Sequence, residues 1–227
     1  MCNLRTIEVM NRPARADARA NRAGILDAAR TALAADPHAS VDVIARAAGL
    51  SRRTLYGHFA DRDALIRELI SAGAQRFNAI AAGVSDADPR IALARLAARL
   101  WQEATHVQVA AALALDDAHV EHTASALAPL RAAVAGLVRR GQDDGAFRTD
   151  LATPVLARLI EEIARAVVSR ADATGADAAN VAVRTVLSIA GLSWRETDAL
   201  LAAHPDLTVP PATESTPPTT DGPEPIA

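Results

Sequence analysis

Residues 40–62, SVDVIARAAGLSRRTLYGHFADR, decide how this chain folds. Apolar residues recur at helical spacing in two short runs, which predicts helices over 41–48 and 52–59. Gly49 follows the first run, where a residue in the left-handed conformation commonly ends a helix, and Ser51 is placed to cap the second. Because helices this short do not form alone in water, the pair must pack together and against a third helix.

The second helix of this pair carries more polar side chains than its packing requires. Leu55 and Phe59 are enough to anchor it. The side chains left to face outward are Arg52, Arg53, Thr54, Tyr56 and His58. An α-helix fits the major groove of DNA, and its first turn reaches base edges there. The pattern therefore predicts a helix-turn-helix that binds DNA, with a merely solvated helix face as the alternative.

Four segments of this stretch stand in order: Ala48-Gly49-Leu50-Ser51, Thr54-Leu55-Tyr56, His58-Phe59 and Asp61-Arg62. In residue types and order they resemble the DNA-binding domain of the TetR family of bacterial transcriptional regulators. The resemblance covers residues 19–69, and beyond them only the helical layout is similar. Arg62 stands where family members often carry lysine, so the positive charge is kept.

The resemblance implies an architecture and a function. Members of the family join an N-terminal three-helix domain to a larger helical domain that dimerises and binds a small-molecule inducer. We therefore expect a homodimeric repressor that an unidentified small-molecule ligand releases from a palindromic double-stranded DNA operator. The alternatives are a ligand-dependent activator, a co-repressor-type regulator, and a helical protein-interaction module that binds no DNA.

The polar residues of the N-terminal domain receive roles in this picture. Nearest the bases we expect Arg52, Arg53, Thr54 and Tyr56. In contact with phosphates we expect Ser40, Ser51, His58 and Arg62.

The distribution of charge agrees with a protein that places only one end on nucleic acid. All 24 basic residues are arginine, and the formal net charge is −3. Residues 1–62 hold ten arginines against six acidic residues, whereas residues 63–227 hold fourteen against 21. A basic N-terminal part attached to an acidic remainder suits DNA binding by the former, although chance segregation would also produce so modest an excess.

Cysteine content and hydropathy indicate the compartment. Cys2 is the only cysteine, so the chain can form neither an internal disulfide nor a cysteine zinc site. No apolar run is long enough to span a membrane, and residues 1–12 lack the apolar core of a signal peptide. We expect a cytoplasmic protein that has no contact with a membrane.

Helical periodicity continues along the rest of the chain, so the predicted fold class is all-α. We expect a flexible arm over 1–16, the helix-turn-helix domain over 17–62, a helical ligand-binding and dimerisation domain over 63–204, and a disordered tail over 205–227. The predicted helices are 17–35, 41–48, 52–59, 62–82, 89–105, 107–115, 121–142, 154–170, 178–192 and 195–203, and Pro129 should kink or divide the seventh. The helices near 154–170 and 178–192 are the expected dimer interface, unless they only complete the monomer's core.

The second domain offers weaker candidates for chemistry. A ligand cavity could be lined by Phe77, Trp101, Gln102, His106 and Gln108, although Trp101 and Phe77 would serve equally as core residues. His119 and His122 are three residues apart, a spacing that metal sites use but that surface histidines also show, and we expect no metal or other cofactor. Motifs of catalytic sites are missing from the sequence, so we expect no enzymatic activity.

Overall fold

The computed structural model describes residues 21–106, 117–169 and 178–208. Throughout these ranges the regular structure is helical, as the sequence predicts. The α-helices are α1 (21–35), α2 (Val41–Ala47), α3 (Arg52–His58), α4 (Arg62–Ala82), α5 (Pro89–His106), α6 (Val120–Ala126), α7 (Ala128–Asp143), α8 (Thr153–Ser169), α9 (Ala178–Ala190) and α10 (Trp194–Ala203). Short 3-10 turns at Asp117–His119 and Pro205–Leu207 precede α6 and follow α10.

Side-chain caps fix where the short N-terminal helices begin. The Ser40 hydroxyl accepts a hydrogen bond from the Val43 amide at 3.4 Å, and the Ser51 hydroxyl accepts one from the Thr54 amide at 3.1 Å. Between the two helices Gly49 has φ +68°, a left-handed conformation that costs glycine little. The turn is therefore held by local chemistry that the sequence shows directly.

The first four helices share one hydrophobic core, which we call the head core. Ile25, Ile44 and Leu55 bring α1, α2 and α3 into it, and each of these side chains is 0% exposed. The first half of α4 contributes as well, through Leu65, Ile66, Leu69 and Ile70. We call the part of the chain that forms this core the head. Its core includes residues up to Ile70, whereas the predicted DNA-binding domain ends at residue 62.

The second half of α4 belongs with helices α5 to α10, which together we call the body. It packs against α5, α6 and α7, and Ala81 lies in the body's core. Within the body α9 makes its most extensive contacts with α5 and α8, and α8 also packs on α7. Because α4 is one continuous helix that packs in two cores, it connects the head to the body directly.

The predicted helix over 121–142 is two helices. α6 ends at Ala126, and α7 begins at Ala128 with Pro129 in its first turn. Proline is tolerated there because the first amide groups of a helix have no partner inside it. The structure confirms that Pro129 marks a division.

The predicted start of the disordered tail needs a correction. Residues 205–207 form a packed turn in which Leu207 is 0% exposed, and Asp206 receives a hydrogen bond from Arg95 at 3.1 Å. The proline-rich composition of this stretch gave no indication that Leu207 is buried. One buried leucine is enough to hold a short turn against the body. The expectations for residues 1–16, for a helix over 107–115 and for residues beyond 208 lie outside the described residues.

None of the helices in the described ranges combines the length and the apolar character that crossing a membrane requires.

Candidate nucleic-acid interface

Helix α3 separates its side chains into a buried set and an exposed set. Leu55 is 0% exposed, and Phe59, just after the helix, is 3% exposed. Arg52, Arg53, Thr54 and Tyr56 all lie exposed, and Tyr56 is 39% exposed despite its aromatic ring. The predicted donor face therefore exists and is accessible to a partner.

Arg52 is engaged by neighbours on two helices. Its Nε lies 3.2 Å from Oδ1 of Asp42 on α2, and its Nη1 donates to Oδ2 of the same carboxylate at 3.2 Å. Its Cζ lies 5.6 Å from the centroid of the Tyr56 ring. Hydrogen bonding to Tyr56 and the charge of Asp42 both raise the pKa of the Arg52 guanidinium, so it stays charged.

Arg53 is the contrasting case. It is exposed, and no hydrogen bond or ion pair joins its guanidinium to the described part of the chain. Thr54 turns its hydroxyl toward the helix start, 2.8 Å from the hydroxyl of Ser51. Of the two arginines that open α3, Arg53 is therefore the one without a bonding partner among the described residues.

Arg62 has a structural duty that the sequence does not reveal. Its Nε donates to the carbonyl of Ala39 at 3.1 Å, and its Nη2 donates to the carbonyl of Pro37 at 2.7 Å. These bonds tie the start of α4 to the loop that leads into α2. The half-buried side chain thus spends two of its donors inside the protein, which leaves fewer for a phosphate.

Arg22 on α1 makes a second tie of this kind, which sequence reasoning missed. Its Nη1 donates to the carbonyl of His58 at 2.9 Å, its Cζ lies 4.4 Å from the centroid of the Phe59 ring, and its Nε pairs with Glu68 at 3.2 Å. One guanidinium therefore joins α1, the end of α3 and α4. Nothing local in the sequence distinguishes Arg22 from a surface arginine, because all three partners are distant along the chain.

The two histidines of α6 and its preceding turn contact the connector helix α4. His122 Nε2 lies 3.0 Å from the Arg67 carbonyl and 2.9 Å from the Ser71 hydroxyl, so this nitrogen carries a hydrogen that it donates to the carbonyl. His119 is 6% exposed, and its Nε2 lies 3.6 Å from Asp63. In the described ranges no cluster of three or more His, Cys, Asp or Glu side chains could hold a metal ion.

Asn78 extends these contacts along α4. Its amide nitrogen donates to the Ala126 carbonyl at 2.9 Å, and its amide oxygen accepts from the Leu130 amide at 3.1 Å. The Ala126 and Leu130 groups stand at the junction of α6 and α7, where regular helical bonding is interrupted. Polar contacts thus join α4 to α6 and α7 from its first turn to its fifth.

Of the residues predicted to line a ligand cavity, the structure describes the side chains of Phe77, Trp101 and Gln102. Trp101 is 8% exposed and packs in a cluster with Val167, Ala179 and Ala182, so it serves the core between α5, α8 and α9. Phe77 is half-buried on α4 and Gln102 is exposed on α5. Gln108 and the side chain of His106 lie outside the described residues.

A cavity of about 190 Å³ is found elsewhere, between the second half of α4 and helices α5 and α7. Its lining is apolar except for one arginine, and consists of Ala81, Val84, Ala92, Leu96, Ala133, Gly136, Leu137 and Arg140. Small side chains on three facing helices leave this space. The sequence does not show which small residues over 81–140 face one another, because that depends on how the helices pack.

Helix α8 exposes two large apolar side chains beside the exposed ion pair of Arg158 and Glu162. Val155 is 49% exposed and Leu159 is 42% exposed, and their spacing of four puts them on one side of the helix. Trp194, at the start of α10, is 63% exposed. The Arg148 amide, in the loop before α8, donates to the Ala190 carbonyl at the end of α9 at 2.9 Å.

A helix-turn-helix head with an accessible donor face, joined through one rigid helix to a helical body, defines a DNA-binding transcriptional regulator. Residues 25–69 match the family model described as "Bacterial regulatory proteins, tetR family". Residues 25–69 are accordingly similar to the N-terminal part of that family's members, and the match does not extend into the body.

Solved structures of similar fold include FadR, a fatty acid degradation regulator from Bacillus halodurans, with TM-score 0.66 and 20% identity over 76% of this chain and 96% of that one. PfmR, a TetR-family regulator from Thermus thermophilus, gives TM-score 0.65 and 22% identity, over 74% and 98%. FadR from Bacillus subtilis, in complex with stearoyl-CoA, gives TM-score 0.64 and 16% identity, over 74% and 97%. No curated protein matches the chain significantly. At these identities the likeness concerns the fold.

Proposed function

We propose that this protein is a homodimeric repressor that binds a palindromic operator and leaves it when a small molecule binds the body. The observation that carries the proposal is the exposed polar face of α3, held in place by a buried leucine and by the Ser51 cap. A donor-rich helix presented in this way suits the major groove.

Within this face Arg53 and Tyr56 are the proposed base-reading residues, since both are exposed and Arg53 has no partner in the described part of the chain. Thr54 and Arg52 lie beside them on the same helix. Ser40 and Ser51 are proposed to meet phosphates, because a hydroxyl oxygen that caps a helix still has its own hydrogen to donate. His58 and Arg62 border the face and would add phosphate contacts through the donors that the fold leaves free.

Dimerisation is proposed to use α8 and α9, as the family resemblance implies. The support from the structure is the exposed apolar pair Val155 and Leu159 on the outer face of α8. Pairing with the same helices of a second copy would bury them in a four-helix bundle and place two α3 helices on one side of a duplex.

The ligand site is proposed to be the cavity between α4, α5 and α7. It touches the half of α4 that lies in the body, so an occupant would act directly on the helix that carries the head. A neighbour of the same fold, FadR from Bacillus subtilis, was solved with stearoyl-CoA, which supports a ligand-responsive body here. The protein would act in the cytoplasm, where the operator is.

The test uses an operator selected from random duplexes with the wild-type protein. Binding should weaken steeply as salt rises, and Arg53→Ala or Tyr56→Ala should each cost about 1–3 kcal/mol of operator binding while the protein stays dimeric. Arg139→Ala, an exposed arginine of α7, is the matched control and should bind as wild type does. Unchanged operator binding by both α3 variants would contradict the proposed docking.

The sign of regulation is tested with the same operator. Titration with candidate small molecules should lower operator affinity. Ligands that raise it would instead identify a co-repressor-type regulator, and promoter assays separate repression from activation.

A further inference from the structure

Asp42 is an acidic residue on the helix that precedes the recognition helix. It lies in the first turn of α2, and its side chain is 50% exposed. Its two carboxylate oxygens each lie 3.2 Å from a nitrogen of Arg52, across the turn between α2 and α3. The contact occurs at the start of the face that the proposed function places on DNA.

A carboxylate at this place is unfavourable for DNA affinity. In helix-turn-helix proteins the first helix of the motif crosses the phosphate backbone, so its exposed acids lie close to negative charge. The ion pair offers little stability in return, because exposed pairs contribute about 0–1 kcal/mol. An acidic residue near the helix start favours α2 through the helix dipole, a purely structural role that the experiment below must separate.

We propose that Asp42 determines specificity by holding the Arg52 guanidinium, so that Arg53 is the one arginine of α3 available to DNA. The inference rests on the proposed function, because it assumes that α3 meets a duplex. Asp42 acts through Arg52 and is a positioning residue.

A free arginine at this position strengthens non-specific DNA binding more than operator binding. Phosphate neutralisation supplies essentially all of non-specific binding and does not depend on sequence. A released Arg52 would reach a phosphate on any duplex, so non-specific binding would gain more than operator binding. The pair with Asp42 therefore keeps the ratio of the two affinities high.

The first measurement compares Asp42→Asn with wild type on two labelled duplexes, the selected operator and one of unrelated sequence, over a range of salt concentrations. For the unrelated duplex we expect about fivefold tighter binding and a salt slope steeper by about one unit. Operator affinity should rise less, so the ratio falls. Asp27→Asn is the charge-matched control, since Asp27 is an exposed acid on α1 that pairs with Arg30 at 3.2 Å.

The second measurement closes a double-mutant cycle. In an Arg52→Gln background, Asp42→Asn should strengthen binding to the unrelated duplex less than it does in wild type, because only the repulsion of the carboxylate is removed and no guanidinium is released. Arg52→Gln by itself keeps the acid at the start of α2, and it should weaken binding to both duplexes by the same factor. Because Arg52→Gln breaks the same ion pair and keeps the acid that favours α2, this variant still tests the inference if Asp42→Asn lowers the melting temperature.

Three results would overturn the inference while wild-type protein binds its operator. The first is that Asp42→Asn and Asp27→Asn change DNA affinity equally. The second is that Asp42→Asn changes DNA affinity equally with and without Arg52. The third is that Arg52→Gln weakens binding to the operator alone, which would show that Arg52 reads a base. A wild-type protein without DNA affinity would overturn the proposed function as well.

Discussion

At the scale of single residues, the arginines of the head do different kinds of work. Arg53 is exposed and unpaired within the described ranges, Arg52 is held by Asp42, and Arg62 and Arg22 bind backbone carbonyls. A guanidinium has five donors, so one side chain can join several elements at once. Their shared positive charge therefore says little about which of them binds DNA.

Arg22→Ala should destabilise the head. The change removes a charged hydrogen bond to the His58 carbonyl and the contact with the Phe59 ring, and for a side chain that is 40% exposed we expect a loss of about 1–2 kcal/mol in the free energy of unfolding. Urea denaturation measures it. Arg30→Ala on the same helix is the control, since Arg30 pairs only with the neighbouring Asp27 among the described residues.

The salt slope of DNA binding distinguishes this role from a phosphate contact. With Arg22→Ala the slope should stay as in wild type at temperatures where the head is folded. A slope reduced by about one unit, with stability unchanged, would mean that Arg22 meets a phosphate.

At the scale of elements, α4 is the helix on which the proposed regulation depends. Its first half completes the head core, and its second half borders the cavity and packs in the body. His122 on α6 contacts the first half of α4, and Asn78 in the second half of α4 contacts the carbonyl of Ala126 at the end of α6. A shift of α6 or α7 would therefore pull on α4, and through Arg62 on the loop before α2.

His122→Ala should loosen this attachment. It removes the donor to the Arg67 carbonyl in a half-buried place, so we expect a loss of about 1 kcal/mol, together with a weaker effect of ligand on operator affinity. His38→Ala, in an exposed loop, is the control. The Nε2 atom of His122 donates to a carbonyl of α4 and so is not available to bind a metal. A chelator should therefore leave the wild-type melting temperature unchanged. A drop on chelation that His122→Ala abolishes would reveal a metal site instead.

At the scale of the whole molecule, the proposed function requires two copies in a fixed relation. A palindromic operator presents two half-sites about one helical turn apart, so one seven-residue recognition helix is not sufficient. The exposed apolar side of α8 is the part of the body best suited to hold a second copy.

Leu159→Glu should convert the dimer to a monomer. A carboxylate in the centre of an apolar interface stays unpaired, and burying it costs several kcal/mol, which would weaken association by about a hundredfold or more. Light scattering after size exclusion measures the mass, and affinity for the palindrome should fall to that of a half-site. Val120→Glu places the same charge on α6, where Val120 is 55% exposed, and should leave the dimer intact. A Leu159→Glu protein that remains dimeric would place the interface elsewhere.

Prediction from sequence succeeded where the deciding interactions are local. The caps at Ser40 and Ser51, the glycine turn and the division at Pro129 each involve residues within a few positions of one another. It did not show which helices Trp101 packs against, because they follow it by more than sixty residues. It also missed Leu207, whose anchoring role depends on the body that it covers.

By itself the sequence determined the helical class, the positions of the helices and the recognition helix with its polar face, because hydrophobic periodicity and capping act over one or two turns. Only the tertiary structure decided which arginines are free, that α4 belongs to two cores, and where the body leaves a cavity. Those features arise from contacts between distant segments, and a contact between Arg22 and the His58 carbonyl, or between Asp42 and Arg52, exists only after the helices have packed.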